Sequence, residues 1–195
     1  VWSDWKSYMT ATGYAVSGTE TMSGATLTIS DISMAIPVME EDTSGTFTLP
    51  DIKFVENGDG TVNIMLPAEM PMRFKIDGPE GLVSGTVLYS HDGSPMLVSG
   101  DADEMTYDYA SGLMKITLKD MTVPDADFPK DAIKVNMTLT DVVTKTIMSN
   151  ADTRTYTQTM TSEALNFDAS VDIPEDDGSG AFKGAMQGVN FTGIT

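Results

Sequence analysis

One short pattern recurs along this chain and constrains it more than any single residue does. Two alternating apolar positions are followed by an Asp or Gly, after which the apolar residues resume on the opposite parity. It reads Leu27-Thr28-Ile29-Ser30-Asp31-Ile32-Ser33-Met34, then Phe47-Thr48-Leu49-Pro50-Asp51-Ile52-Lys53-Phe54, then Ile116-Thr117-Leu118-Lys119-Asp120-Met121-Thr122-Val123. Looser copies stand at Met137-Thr138-Leu139-Thr140-Asp141-Val142 and Met186-Gln187-Gly188-Val189-Asn190-Phe191. A β-strand places alternate side chains on opposite faces, so a parity change within a strand moves the apolar set to the other face unless the backbone is irregular there. A bulge at the Asp or Gly resets the face and bends the strand. The alternative is a strand that passes from one packed layer to another, or leaves the sheet, at that residue. Asp and Gly suit either device because they tolerate irregular backbone better than β-branched residues do.

Asp31 and Asp51 are 20 residues apart, and Asp120 and Asp141 are 21 apart, which is one hairpin per period. The pattern predicts a mainly β chain: a long antiparallel curved meander, as an open sheet, a sandwich or a partly closed barrel. Runs of eight to twelve residues between turn clusters correspond to strands of roughly 25 to 40 Å. The turns are expected at 41–45, 57–60, 91–94 and 176–180, and a loop at 123–131. From about Leu66 to Asp108 the pattern weakens, and Pro67, Pro71, Pro79 and Pro95 exclude uninterrupted central strands. The one expected helix covers residues 1–12, where Trp2, Trp5 and Met9 recur at helical spacing, with Gly13 as its stop. The whole chain, 1–195, reads as a single domain, with the helical segment 1–13 followed by a repetitive sheet over 14–195.

Composition narrows the function classes. The formal net charge is −18, from 29 acidic and 11 basic residues, so nucleic acid is a poor partner. Cysteine is absent, which removes disulfides, thiolate nucleophiles and cysteine metal sites. No apolar run reaches the length needed to span a bilayer as a helix, and no basic-apolar leader precedes the helix. The start at Val1 and the stop within an apparent strand at Thr195 suggest processing or trimming.

Candidate chemistry is sparse. His91 reads as a hairpin-turn residue, and Ser90, His91 and Asp92 are too close in sequence to form a nucleophile, base and orienter. Asp101, Asp103 and Glu104 alternate but lack the glycine and distant bidentate Glu of a calcium loop, and Asn57-Gly58-Asp59-Gly60 fails the same test. No catalytic residue, metal site or cofactor is assigned, and an enzyme is not expected. The 15 methionines fill an irregular core or form an adaptable apolar surface.

The opening Trp2-Ser3-Asp4-Trp5-Lys6 with Tyr8 and Gly13-Tyr14, followed by the repeat at Asp31, resembles an uncharacterised family of exported, periplasmic proteins of marine and phototrophic alphaproteobacteria. More distantly, the architecture is similar to curved envelope sheets that shelter acyl chains. The resemblance implies a periplasmic or cell-envelope location and brings no catalytic residues. The expected function is therefore non-enzymatic: sheltering a lipid or other hydrophobic small molecule on a curved sheet, with Met34, Phe54, Met121 and Met137 near that face. The alternative is a scaffolding module that binds another envelope protein through sheet edges or through the helix bearing Trp2 and Trp5.

Overall fold

A computed structural model describes residues 1–36, 42–124, 129, 132–150, 153–173 and 178–194. The elements are α1 (Trp2–Ala11), β1 (Ala15–Ser23), β2 (Thr26–Ile36), β3 (Ser44–Leu49), β4 (Ile52–Glu56), β5 (Val62–Met65), β6 (Glu69–Gly78), β7 (Gly81–His91), β8 (Met96–Gly100), β9 (Glu104–Thr122), β10 (Ile133–Asn150), β11 (Arg154–Ile173) and β12 (Gly178–Ile194). All twelve strands belong to one antiparallel sheet. The protein is mainly β with one short N-terminal helix, as the repeat and the aromatic spacing predict.

The parity changes share one physical cause, and the sheet is organised around it. Asp31, Asp120 and Asp141 hold φ of 53°, 54° and 47°, and Gly188 holds 61°. A left-handed residue leaves two consecutive side chains facing outward, so the next apolar residue returns to the inner face. Strand β10 shows this directly. Leu139 is buried, Thr140 and Asp141 face out, and Val142 is buried again. At Asp31-Ile32 two residues stand opposite Gly18 of β1, and at Asp120-Met121 two stand opposite Gly85 of β7, so these are bulges. At Asp141 and Gly188 the register is unchanged on either side, because neighbouring strands switch face in the same row.

That row crosses the sheet. Extending the registers aligns Gly112 of β9 with Asp141, Asp141 with Glu163 of β11, and Glu163 with Gly188 of β12. Serines stabilise it from the buried side. Ser111 Oγ donates to Leu113 O at 2.9 Å, and Ser162 Oγ donates between Thr140 O at 2.8 Å and Ala164 O at 2.9 Å. On the other side of β9 the same row appears as breaks. β3 and β4 pair end to end with one edge of β2, and β7 and β8 pair end to end with one edge of β9. Each pair is one pass of chain interrupted at Pro50-Asp51 or at Asp92–Pro95, and β5 and β6 are likewise separated at Leu66–Ala68. Asp51 is thus a strand break and, unlike the other three Asp residues, has no positive φ. Four strands run 17 to 20 residues, longer than expected, since the parity change lies inside them and does not end them.

The breaks leave a ring of hydrogen-bonded strands, β9-β7-β6-β3-β2-β4-β5-β8 and back to β9. His91 sits within it. Predicted as a turn residue, it is instead the buried last residue of β7, because β7 and β8 continue along the same edge and form no hairpin with each other. Its Nδ1 accepts the Gly93 N–H at 3.1 Å, which leaves Nε2–H to donate to Pro67 O at 3.0 Å, while its backbone N–H bonds Ala68 O at 2.9 Å. Tyr89 and Tyr109 flank the ring, with their hydroxyls 3.4 Å apart. Asp92 bridges across to β9 by accepting the Gly112 N–H at 2.8 Å. Most of the loop expected at 123–131 and parts of the turns at 41–45 and 176–180 lie outside the described residues.

The row divides the sheet into two panels. The near panel holds β4, β5, β8 and the adjoining halves of β1, β2 and β9–β12; the far panel holds β3, β6, β7 and the other halves. The core collects on the near panel, where Ile29, Ile52, Phe54, Ile64, Val98, Met105, Tyr107 and Met148 are buried beneath Trp2 of α1. The helix has no side-chain N-cap and is short for an isolated helix, so this packing holds it in place.

Two predictions follow from this row. An L-residue other than Asp, Asn or Gly costs about 1–2 kcal/mol in left-handed geometry, so Asp141→Val should lower Tm by about 2–8 °C, whereas Asp141→Gly should not lower it; differential scanning calorimetry of both variants checks this. The Ser94 backbone N–H, the Ser94 hydroxyl and the Gly112 N–H together hold the Asp92 carboxyl down at about 2, below its ordinary 3.8. A depressed folded-state value stabilises the fold above pH 3.8, and that contribution is lost as pH falls toward 2. Acid titration of Asp92→Asn should therefore show a shallower loss of stability between pH 4 and 2 than the parent chain.

Candidate functional site

The near panel is wider than the helix that covers it, and apolar recesses open on either side of the helix's C-terminal half. The first, about 400 Å³, lies between α1 and β8–β11, and is lined by Trp5, Tyr8, Met9, Met96, Tyr107 and Tyr156, with Thr144, Thr146 and Gln158 as its polar members. The second, about 480 Å³, lies between α1 and the β2–β3 pair, and is lined by Tyr8, Met9, Thr12, Tyr14, Met34, Ile36 and Phe47. Tyr8 and Met9 border both, so the recesses form one trough straddled by the end of the helix.

Each wall follows from local sequence. Trp5, Tyr8 and Met9 share a helix face through their three- and four-residue spacing. Met105, Tyr107, Tyr109 and Ser111 alternate onto the inner face of β9 and are all buried. Met34 and Ile36 reach the trough because Asp31 has already switched the face of β2. Aromatic contacts set the helix height. Trp5 meets the edge of Phe54 at 5.6 Å and stacks over Tyr107 at 6.4 Å, and Tyr8 lies 4.6 Å from Tyr156. Polar ties fix the N-terminal end, where Trp2 Nε1–H and Lys6 Nζ both donate to Glu20 Oε1 at 2.8 Å, and Asp4 pairs with Arg154. Burial raises the Tyr107 and Tyr156 hydroxyls above their ordinary titration range, so both rings are neutral at physiological pH. None of the residues lining the two recesses is charged.

A third and larger recess, about 700 Å³, borders the helix N-terminus and the β8–β9 turn. Its carboxylates are committed to the fold, Asp4 to Arg154 and Asp101 Oδ1 to the Asp103 and Glu104 backbone N–H groups at 2.9 and 3.2 Å, while Arg154 Nε is buried without a hydrogen-bond partner. Among the described residues no three His, Asp or Glu side chains gather as a metal site.

The four residues expected at an apolar face do not converge. Met34 lines the trough. Phe54 lies beneath the helix, buried between Trp2 and Trp5. Met121 is half-buried at the bulge opposite Gly85, and Met137 is half-buried in the far panel between Ile116 and Phe167. Trp2 is buried against Phe54, and Trp5 is half-buried at the trough wall. Met9 is expected only as a helix-face residue, and no sequence pattern singles out Met96, Tyr107 or Tyr156. The alternation of Met105, Tyr107 and Tyr109 was their available signal, but it lies in the stretch where the Asp-centred repeat weakens, because β9 switches face at Gly112 and again at Asp120.

Trp2→Ala should destabilise the chain by about 3–5 kcal/mol, as for other buried Trp truncations, and urea denaturation would measure it; Lys6→Ala, which removes one exposed ion pair, should change stability by less than about 1 kcal/mol. No protein-family model, curated protein or solved structure matches this chain.

Proposed function

We propose that this chain is a non-enzymatic cell-envelope protein that shelters a lipid or another hydrophobic small molecule in the trough beneath α1. The observation that carries the reading is the pair of adjoining recesses of about 400 and 480 Å³ that share Tyr8 and Met9. Their combined size is in the range of small-molecule sites, which are mostly apolar with a few polar groups. Aromatic rings and thioethers supply adaptable contact area there, and Thr144, Thr146 and Gln158 offer hydrogen bonds to a neutral polar group. The envelope location rests on the resemblance of the N-terminal segment. No helix among the described residues is long and apolar enough to cross a membrane.

Trp5 borders the trough, which provides a direct readout. Titration of delipidated protein with a fluorescent-tailed neutral phospholipid should quench Trp5 emission, and native mass spectrometry should show one ligand per chain. Met9→Lys places an ammonium between the two recesses, in the last helical turn where a cation is tolerated. It should weaken uptake at least tenfold while leaving the circular dichroism spectrum unchanged. Bare protein in every preparation, with no quenching by the probe, would overturn the reading.

A further inference from the structure

The outer edge of β12 carries features of a surface made to pair. It is 17 residues long and pairs only with β11 among the described residues. Native sheet edges are ordinarily guarded by charge, proline or brevity, and the opposite edge follows that rule: β1 is 9 residues long, and its Glu20 is held by Trp2 and Lys6 of the helix. β12 has no proline, and Lys183 is its only charged residue in a chain of net charge −18. Its apolar side chains remain outside the core, with Phe182 67%, Met186 49% and Phe191 51% exposed.

These three side chains share one face of the sheet. Cross-strand partners face the same way, and Met186 lies opposite Leu165, Phe182 opposite Ala169, Val189 opposite buried Ser162 and Phe191 opposite Met160. The left-handed Gly188 provides the switch that keeps Phe182 and Met186 on the same side as Val189 and Phe191. The inner face therefore continues uncovered to the edge.

We propose that β12 pairs antiparallel with β12 of a second copy of this chain, across a two-fold axis at Gln187-Gly188. The face switch makes the strand self-complementary. Its inner residues are even-numbered before Gly188 and odd-numbered after it. An antiparallel pair that keeps both inner faces together must therefore set even positions opposite odd ones. The axis that also continues the face-switch row passes between Gln187 and Gly188, the two consecutive outward residues of β12, just as Thr140-Asp141 meet Glu163-Ala164 within the sheet. Met186 then lies opposite Val189 of the second copy, twice by symmetry, and Phe191 lies opposite Gly184. The result is a closed, isologous dimer in which one sheet runs through both copies.

The chain's lack of cysteine makes a clean test available. In 0.5 M salt, which screens the repulsion between acidic copies, light scattering of the full chain should give twice 20.9 kDa. An equimolar mixture of Met186→Cys and Val189→Cys chains should form a disulfide-linked dimer under mild oxidation, at least tenfold faster than either variant alone. Met186→Lys, at the centre of the pair, should weaken the dimer at least tenfold. Phe182→Lys adds the same charge at the end of the overlap and should weaken it less than threefold, with circular dichroism verifying both folds. A monomer at all concentrations overturns the proposal. So does a growing series of oligomers, which would mean that β12 pairs with β1, or a dimer whose cross-links do not prefer the mixed pair.

Discussion

A strand that keeps apolar residues on one face over 17 to 20 residues must alternate without interruption, and the long strands of this protein do not. Each changes parity once or twice, and a left-handed residue or a break at that point returns the apolar set to the inner face. Four of these positions carry positive φ, at Asp31, Asp120, Asp141 and Gly188. Because neighbouring strands are hydrogen-bonded in fixed register, a switch in one strand exposes its neighbour's apolar residues unless that neighbour switches in the same row. The row from Gly112 through Asp141 and Glu163 to Gly188 meets this requirement collectively. Where the row reaches β3 to β8, prolines and loops take over, and His91 fills the interruption with hydrogen bonds to backbone on both sides.

The position of the helix follows from this division. Only the near panel gathers enough large side chains, with Ile29, Phe54, Ile64, Val98 and Met148 fully or almost fully buried, to dock an aromatic helix. Ten helical residues cannot span a panel built from strands of this number and length. Inner-face residues beyond its flanks therefore line open recesses. Close to the helix these become a trough with aromatic walls. At the far margin, on β12, they become an exposed row bearing Phe182, Met186 and Phe191. The proposed ligand site and the proposed dimer edge are consequences of the same mismatch between a wide sheet and a small cover.

Much of this was legible in residue order. Trp2, Trp5 and Met9 marked the helix, and Asp31, Asp120, Asp141 and Gly188 marked face switches, because a parity change in an otherwise regular alternation has few physical causes. Gly112 and Glu163 carry no such mark. Their strands switch at Ser-Gly and Ser-Glu, where no Asp stands between two clear apolar pairs. The break at Asp51 looked like the other Asp positions because a parity change is the same in sequence whether the backbone turns left-handed or the strand stops. His91 looked like a turn residue because Asp-Gly follows it. Whether such a segment closes a hairpin or steps along one neighbour's edge depends on strands far away in the chain.

The trough was the least legible part. Met34 could be placed on the inner face by parity, as could Met121 and Met137, but parity states only which face a residue occupies. It does not state where along the sheet the helix will lie. The sequence by itself determined the β class, the helix, the net acidity and the places where faces switch, since these depend on local periodicity and composition. Only the tertiary structure decided which panel the helix covers, which inner residues are left open beside it, and which edge remains unguarded. Those outcomes depend on registers between distant strands and on the sum of packing contacts, and no local pattern encodes either.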